Sequence, residues 1–136
     1  MTSEQVDLVR KSFDSMWPMG RDIADLCYGR FFELAPNARE LFPSDMERQQ
    51  IKLMNMIAVL VGSLDERPLF QSLVEHSGRK HARFGIQPSQ YVAMGEALMW
   101  ALERKFGAPF TPELRDSWRA LYATVQDEML RAATQG

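Results

Sequence analysis

The stretch HSGRKHARFG, residues 76–85, holds both histidines of the 136-residue chain, His76 and His81. Five residues of α-helix turn about 500°, so side chains at this spacing point about 140° apart. The two histidines share no face and cannot grip one metal together. One, two and three turns before His81 lie Ser77, Val74 and Phe70, which places His81 at the end of the inward face. The turn before His76 offers Leu73 and Ser72, with Glu75 alongside, a mixed face. His81 is therefore the candidate for a buried role, and His76 reads as a solvated residue. At this point His81 has two readings, a ligand or a core histidine satisfied by hydrogen bonds.

The pattern around this stretch is helical throughout. Gly85 closes the helix that carries the histidines, and a loop at about Asp65–Pro68 precedes it. Upstream, Thr2 with Gln5 resembles a capping box opening a first helix that WPMG (17–20) ends. A second helix is expected over about Arg21–Leu34, a short segment from Pro36 to about Phe42-Pro43, and a third long helix over about Asp45–Val61. Downstream, Pro88 opens a helix reaching Phe106-Gly107, and Thr111-Pro112 opens the last, to about Ala133. Tyr91, Met94, Leu98 and Leu102 form one apolar stripe, and Leu114, Trp118, Leu121, Val125 and Met129 another. No segment alternates with period two. The expectation is an all-α protein of six to eight helices.

Length and composition fit one domain over residues 1–136, long enough to bury roughly two-thirds of its unfolded surface. With 46% hydrophobic and 25% charged residues, the chain is expected to be ordered, soluble and globular. A net charge of −2 without a long run of either sign argues against a nucleic-acid partner, which needs a basic face. Cys27 is the only cysteine, so no intrachain disulfide forms. The polar start MTSEQVDLVRK is no signal peptide, and the longest apolar run, MIAVLV at 56–61, is too short to span a bilayer. No membrane association is expected, and the cytoplasm is the default location.

Two further helices place a polar residue at the head of an apolar stripe. On the third helix, Gln49 precedes Leu53, Met56 and Leu60; on the second, Tyr28 precedes Phe32 and Ala35. Taken singly, Gln49 reads equally as a helix-end residue and Tyr28 as a core aromatic. Together with His81 they make three helices that each aim one polar group from an apolar face, the composition of a ligand pocket.

In this ordered set the chain resembles the globins, in particular bacterial single-domain haemoglobins and neuroglobins. Pro36 and Phe42 resemble the family's C-helix proline and haem-stacking phenylalanine. Gln49 stands at the distal position and His81 at the proximal one, separated by the expected 32 residues. GRKH followed by Gly85, and FTPELRDSWRALY at 110–122, are similar to neuroglobin segments. The resemblance implies a globin fold around haem b, held in a pocket between the helices carrying Gln49 and His81. It implies that His81 ligates the iron through neutral imidazole, its other N–H held by a backbone carbonyl one turn back. Phe42 would pack on the porphyrin face, Leu53 and Ile86 would line the distal wall and proximal rim, and Lys52 would reach a propionate. The nine methionines read as pliable core filling.

Two departures carry weight. Neuroglobins have a distal histidine able to bind iron, whereas Gln49 is a poor iron ligand and a good hydrogen-bond donor, which favours an open ferrous site. Ser77 replaces a leucine common at its position; its hydroxyl has two readings, reaching His81 or bonding back to its own helix, of which the second is expected. Three functions follow. The first is reversible binding of O₂, or of CO and NO, with Tyr28 and Gln49 donating to the ligand; the slow release this implies suits scavenging or sensing better than oxygen transport. The second is nitric oxide dioxygenation, as in flavohaemoglobins. The sequence has no G-x-G-x-x-G stretch for a built-in reductase, so turnover would need a separate one. Tyr91 matches the tyrosine those enzymes place near the histidine, but Arg131, Ala132 and Ala133 stand where they carry a glutamate. The third, a module without haem, leaves His81, Gln49 and Tyr28 unexplained.

Overall fold

The structure, a computed structural model, describes residues 1–42 and 45–135. Its first helix, α1 (Ser3–Met16), opens on the capping box: the Gln5 amide donates to Thr2 Oγ1 at 3.1 Å and the Thr2 amide to Gln5 Oε1 at 2.9 Å. Trp17–Met19 is a single 3-10 turn that leads straight into α2 (Gly20–Leu34). A second 3-10 segment, Pro36–Leu41, begins on proline, whose missing N–H is no loss in a first turn. The expected end of that segment at Pro43 lies outside the described residues. Helix α3 (Glu47–Gly62) starts two residues later than the sequence suggests, because Asp45 stays outside it and accepts from the Glu47 amide at 3.0 Å.

Helix α4 (Arg67–Arg83) has Pro68 inside its first turn, so the preceding loop ends earlier than expected. Gly85, at φ 77°, ends it in the left-handed conformation that glycine adopts without strain. The remaining helices are α5 (Pro88–Phe106), ended by Gly107 at φ 67°, and α6 (Pro112–Gln135). No strand occurs among the described residues, and no helix among them is long and apolar enough to cross a membrane.

Packing follows the apolar stripes. Helix α2 lies along α5, and α4 along α6; α1 joins α6 to α3, and α3 leans on α2. Leu98 and Leu102 of α5 and Leu114, Trp118, Leu121, Val125 and Met129 of α6 are buried as their spacing predicts. Each such side chain contributes about 1.5–3 kcal/mol by leaving water. Trp118 also donates its Nε1–H to Ser12 Oγ at 2.9 Å, tying the last helix to the first.

Two glycines allow helices to approach closely. A Cβ on Gly20 would lie 3.0 Å from Met54 Cε, and one on Gly78 would lie 2.6 Å from the Met129 carbonyl oxygen. Gly78 thereby lets α4 sit against the backbone of α6. By contrast α3 and α4 scarcely touch, although only residues 63–66 join them. Beyond that short corner each is held by different neighbours, α3 by α2 and α1 and α4 by α6.

Candidate functional site

His81 stands near the end of α4, on the same face as the buried Phe70, Val74, Ser77 and Gly78. It is half-buried, while His76 is exposed, as the 140° separation predicts (about five residues of helix). The His81 Nδ1 lies 2.6 Å from the Ser77 carbonyl oxygen. A carbonyl only accepts, so the ring proton must reside on Nδ1. Nε2 then carries a free lone pair, and it has no hydrogen-bond partner among the described residues. This is the tautomer and orientation a metal ligand needs. The chain turn beyond α4 is built on the same residue: the Phe84 and Ile86 amides both donate to the His81 carbonyl, at 3.1 and 3.2 Å. That turn brings the half-buried Ile86 back beside His81.

Helix α3 has two faces. Met54, Ile57 and Val61 are buried, and Gly20 of α2 packs against Met54. Roughly 100° around the helix runs the stripe Gln49, Leu53 and Met56, all half-buried, continued by the buried Leu60. The Gln49 amide has no hydrogen-bond partner among the described residues. Lys52 is exposed on the solvent side of this stripe.

Beyond α3, Tyr28, Phe31, Phe32 and Phe42 form one aromatic cluster. The Tyr28 ring centroid lies 5.5 Å from that of Phe42, edge on, and 6.1 Å from that of Phe32. Phe42 follows the 3-10 segment and is held at both ends: its amide donates to the Arg39 carbonyl at 3.2 Å, and Arg39 Nη1 donates to its carbonyl at 3.2 Å. The same guanidinium lies over the Phe32 ring at 5.3 Å. Tyr28 is only 7% exposed, and its hydroxyl has no hydrogen-bond partner among the described residues. Burial pushes that hydroxyl above the ordinary tyrosine range, with the neighbouring Cys27 adding to the shift, so it stays a donor.

Tyr91, near the start of α5, places its ring 5.9 Å from that of His81. Its hydroxyl is buried and has no hydrogen-bond partner among the described residues. Burying such a group unpaired costs about 1–3 kcal/mol, which a well-folded core normally avoids. Burial also raises its ionisation above the usual range. Its backbone is anchored by Tyr122, whose hydroxyl donates to the Tyr91 carbonyl. That contact requires Gly95, because a Cβ there would lie 2.6 Å from Tyr122 Cε1.

One expectation fails. The Ser77 hydroxyl does not bond back to a backbone carbonyl of α4; it takes the other of its two readings and lies 3.3 Å from His81 Nδ1. The sequence reading also missed Arg39, Gly78, Gly95 and Tyr122, which position the site from outside it. Glycines inside helical patterns were the available signal for two of them.

The donor set suits a metal that brings its own ring of ligands. Among the described residues no group of three His, Cys, Asp or Glu side chains could hold a bare ion, so His81 would be a lone protein ligand. One free imidazole nitrogen on α4 with Tyr91 beside it, and the unpartnered Tyr28 and Gln49 on the apolar stripes of α2 and α3, are donors that suit an iron porphyrin.

Comparison with known proteins shows the family and the fold. A family model described as Globin matches residues 25–129. A neuroglobin from Tetraodon nigroviridis is 27% identical, with 96% of this chain and 91% of that protein covered. One from Chaenocephalus aceratus is 26% identical, with 92% and 87% covered. Among solved structures, an engineered carbene transferase from Rhodothermus marinus, provisionally named a nitric oxide dioxygenase, superposes with a TM-score of 0.88 at 25% identity, covering 99% of this chain and 94% of that one. A bacterial globin from Campylobacter jejuni gives 0.86 at 16% identity, covering 98% and 97%. A hexacoordinated haem protein from an anhydrobiotic tardigrade gives 0.89 at 14%, covering 98% and 96%. At these last two identities the likeness is one of fold.

Proposed function

Because the chain belongs to the globin family, and is thus a haem globin, we propose that it carries haem b on His81 and binds O₂ reversibly beneath Tyr28 and Gln49. The observation that carries this reading is the His81 ring, its Nδ1 proton committed to the Ser77 carbonyl at 2.6 Å and its Nε2 lone pair free. The haem, when bound, supplies an iron centre that takes up diatomic gases such as O₂, CO and NO. His81 anchors that iron. Phe42, clamped by Arg39, would pack on the porphyrin face, with Leu53 lining the distal wall and Ile86 the proximal rim. Lys52, exposed on α3, would reach a propionate of the bound haem. Tyr28 and Gln49 donate hydrogen bonds into a water-poor pocket, where such bonds are strong. Gln49 is a poor iron ligand and a good hydrogen-bond donor, so it would leave the distal position of a bound haem open to a gas.

Absorption spectra of the ferric, ferrous and O₂-exposed protein test this. His81→Gly should lose or greatly weaken haem binding unless imidazole is added, while His76→Ala should leave the spectrum unchanged. The reverse pattern would overturn the assignment, and a low-spin six-coordinate ferrous spectrum at neutral pH would overturn the open distal site.

A second reading, nitric oxide dioxygenation with a separate reductase, is favoured by the buried, unpaired Tyr91 hydroxyl beside His81 and by the likeness to the Rhodothermus marinus protein. The absence of a carboxylate at Arg131, Ala132 and Ala133, near the point of α6 that matches the glutamate of flavohaemoglobins, weighs against it. Aerobic mixing with NO decides: sustained nitrate production with an added reductase supports the enzyme, and a single turnover supports the binding protein.

A further inference from the structure

Hydroxyls inside these helices ordinarily bond backward along the chain. Ser12 donates to the Val9 carbonyl at 3.0 Å, Ser117 to Glu113 at 2.9 Å and Thr124 to Ala120 at 3.0 Å. Ser77 departs from that habit. It is 4% exposed, its Oγ lies 3.3 Å from His81 Nδ1, and no other partner of that hydroxyl occurs among the described residues. The direction of the interaction is fixed by the carbonyl of the same residue. Since Nδ1 must hold a proton to reach the Ser77 oxygen at 2.6 Å, it has no lone pair in the ring plane for the hydroxyl to donate to. The hydroxyl oxygen is therefore an acceptor. One Nδ1–H faces two acceptors of one residue, a short bond to the carbonyl and a longer one to Oγ.

We propose that Ser77 is a positioning and tuning residue for the proximal histidine: its side-chain oxygen, as second acceptor of the His81 Nδ1 proton, makes the imidazole a stronger electron donor. Polarising an N–H toward its acceptors moves electron density onto the opposite ring nitrogen, and the effect is large where little water competes. The two-acceptor cradle also restricts rotation of the ring, because either acceptor alone would allow a wider swing. The proposal rests on His81 as the haem ligand.

Resonance Raman spectra of the ferrous haem protein and the ferric/ferrous midpoint potential read the effect directly. Ser77→Ala removes the second acceptor and leaves the backbone bond. The iron–histidine stretch should fall in frequency, the midpoint potential should rise, and the Nδ1–H proton resonance of the CO form should move upfield. Ser77→Cys nearly conserves volume and replaces the oxygen by a much weaker acceptor, so it should move the three readouts the same way. Wild-type values in Ser77→Ala would overturn the proposal. A shift in Ser77→Ala with wild-type values in Ser77→Cys would also overturn it, because packing rather than the oxygen would then be responsible. Wild-type protein that takes up haem without an iron–histidine band would refute the ligand assignment, and the role of Ser77 with it.

Discussion

Tyr28 concentrates the chemistry of the distal side in one hydroxyl. Its ring is fixed by Phe32 and Phe42, so Tyr28→Phe keeps the packing and removes only the donor. A hydrogen bond to a ligand bearing partial charge is worth about 1–1.5 kcal/mol, so the O₂ dissociation rate should rise roughly tenfold. CO, a poorer acceptor, should change much less; stopped-flow release of the two gases makes the comparison, and equal changes would indicate an altered access route instead. Gln49→Leu should act in the same direction, less than additively with Tyr28→Phe, because two donors share one acceptor. Next to Tyr28, burial pushes the Cys27 thiol from 9.0 up to about 12. A thiol ionising earlier in the unfolded chain stabilises the fold fully below pH 9, and that contribution is lost as pH rises toward 12. Between about pH 9 and 11, urea denaturation should show Cys27→Ala losing stability with pH less steeply than the wild type, by about 1 kcal/mol per pH unit. Parallel slopes would mean that the thiol is hydrated before the fold opens.

Helix α4 depends on one glycine for its place. Gly78 lies three residues before His81, and any Cβ there meets the Met129 backbone, which cannot swing aside as a side-chain tip can. Gly78→Ala should push α4 away from α6, with a loss of about 1–3 kcal/mol in thermal or urea unfolding and faster haem loss from the displaced His81. Gly29 in α2 supplies the control: nothing lies within 4 Å of its Cβ position. Gly29→Ala should stabilise the helix by about 0.5–1 kcal/mol. If Gly78→Ala is as benign as Gly29→Ala, the close approach of α4 to α6 is not what positions the histidine.

Across the molecule, stability is unevenly spread among the helices. Helices α2, α5 and α6 are packed on several sides, whereas α4 leans chiefly on α6 and buries only Phe70, Val74, Ser77 and Gly78. Residues 79–85 are exposed apart from the half-buried His81. Without haem, amide exchange should therefore be fastest in the last two turns of α4, while the α2–α5 pair stays protected. Haem binding should slow exchange in α4 most and raise the unfolding temperature, as any ligand bound only by the folded state must. Uniform exchange across α4 and α5 in the haem-free protein would show that α4 opens with the core rather than before it.

Helix number, the apolar stripes and the opposite directions of His76 and His81 were legible in the linear chain, because a 3.6-residue period assigns every side chain a face from its neighbours alone. The capping box at Thr2 and the stop at Gly85 were legible for the same reason: both are made within a few residues. Other features depended on partners far along the chain. The Gly78 position is set by Met129, the Tyr91 backbone by Tyr122, and the places of α3 and α4 by their packing on different neighbours. Ser77 marks the boundary between the two. Its burial follows from local periodicity, yet its hydroxyl turned to His81 against the backbone habit that its residue type predicts. A backbone carbonyl one turn away is always available to a helical serine. The imidazole one turn on competes with it, and which of the two the hydroxyl meets is decided by the rotamers of both side chains in the folded protein.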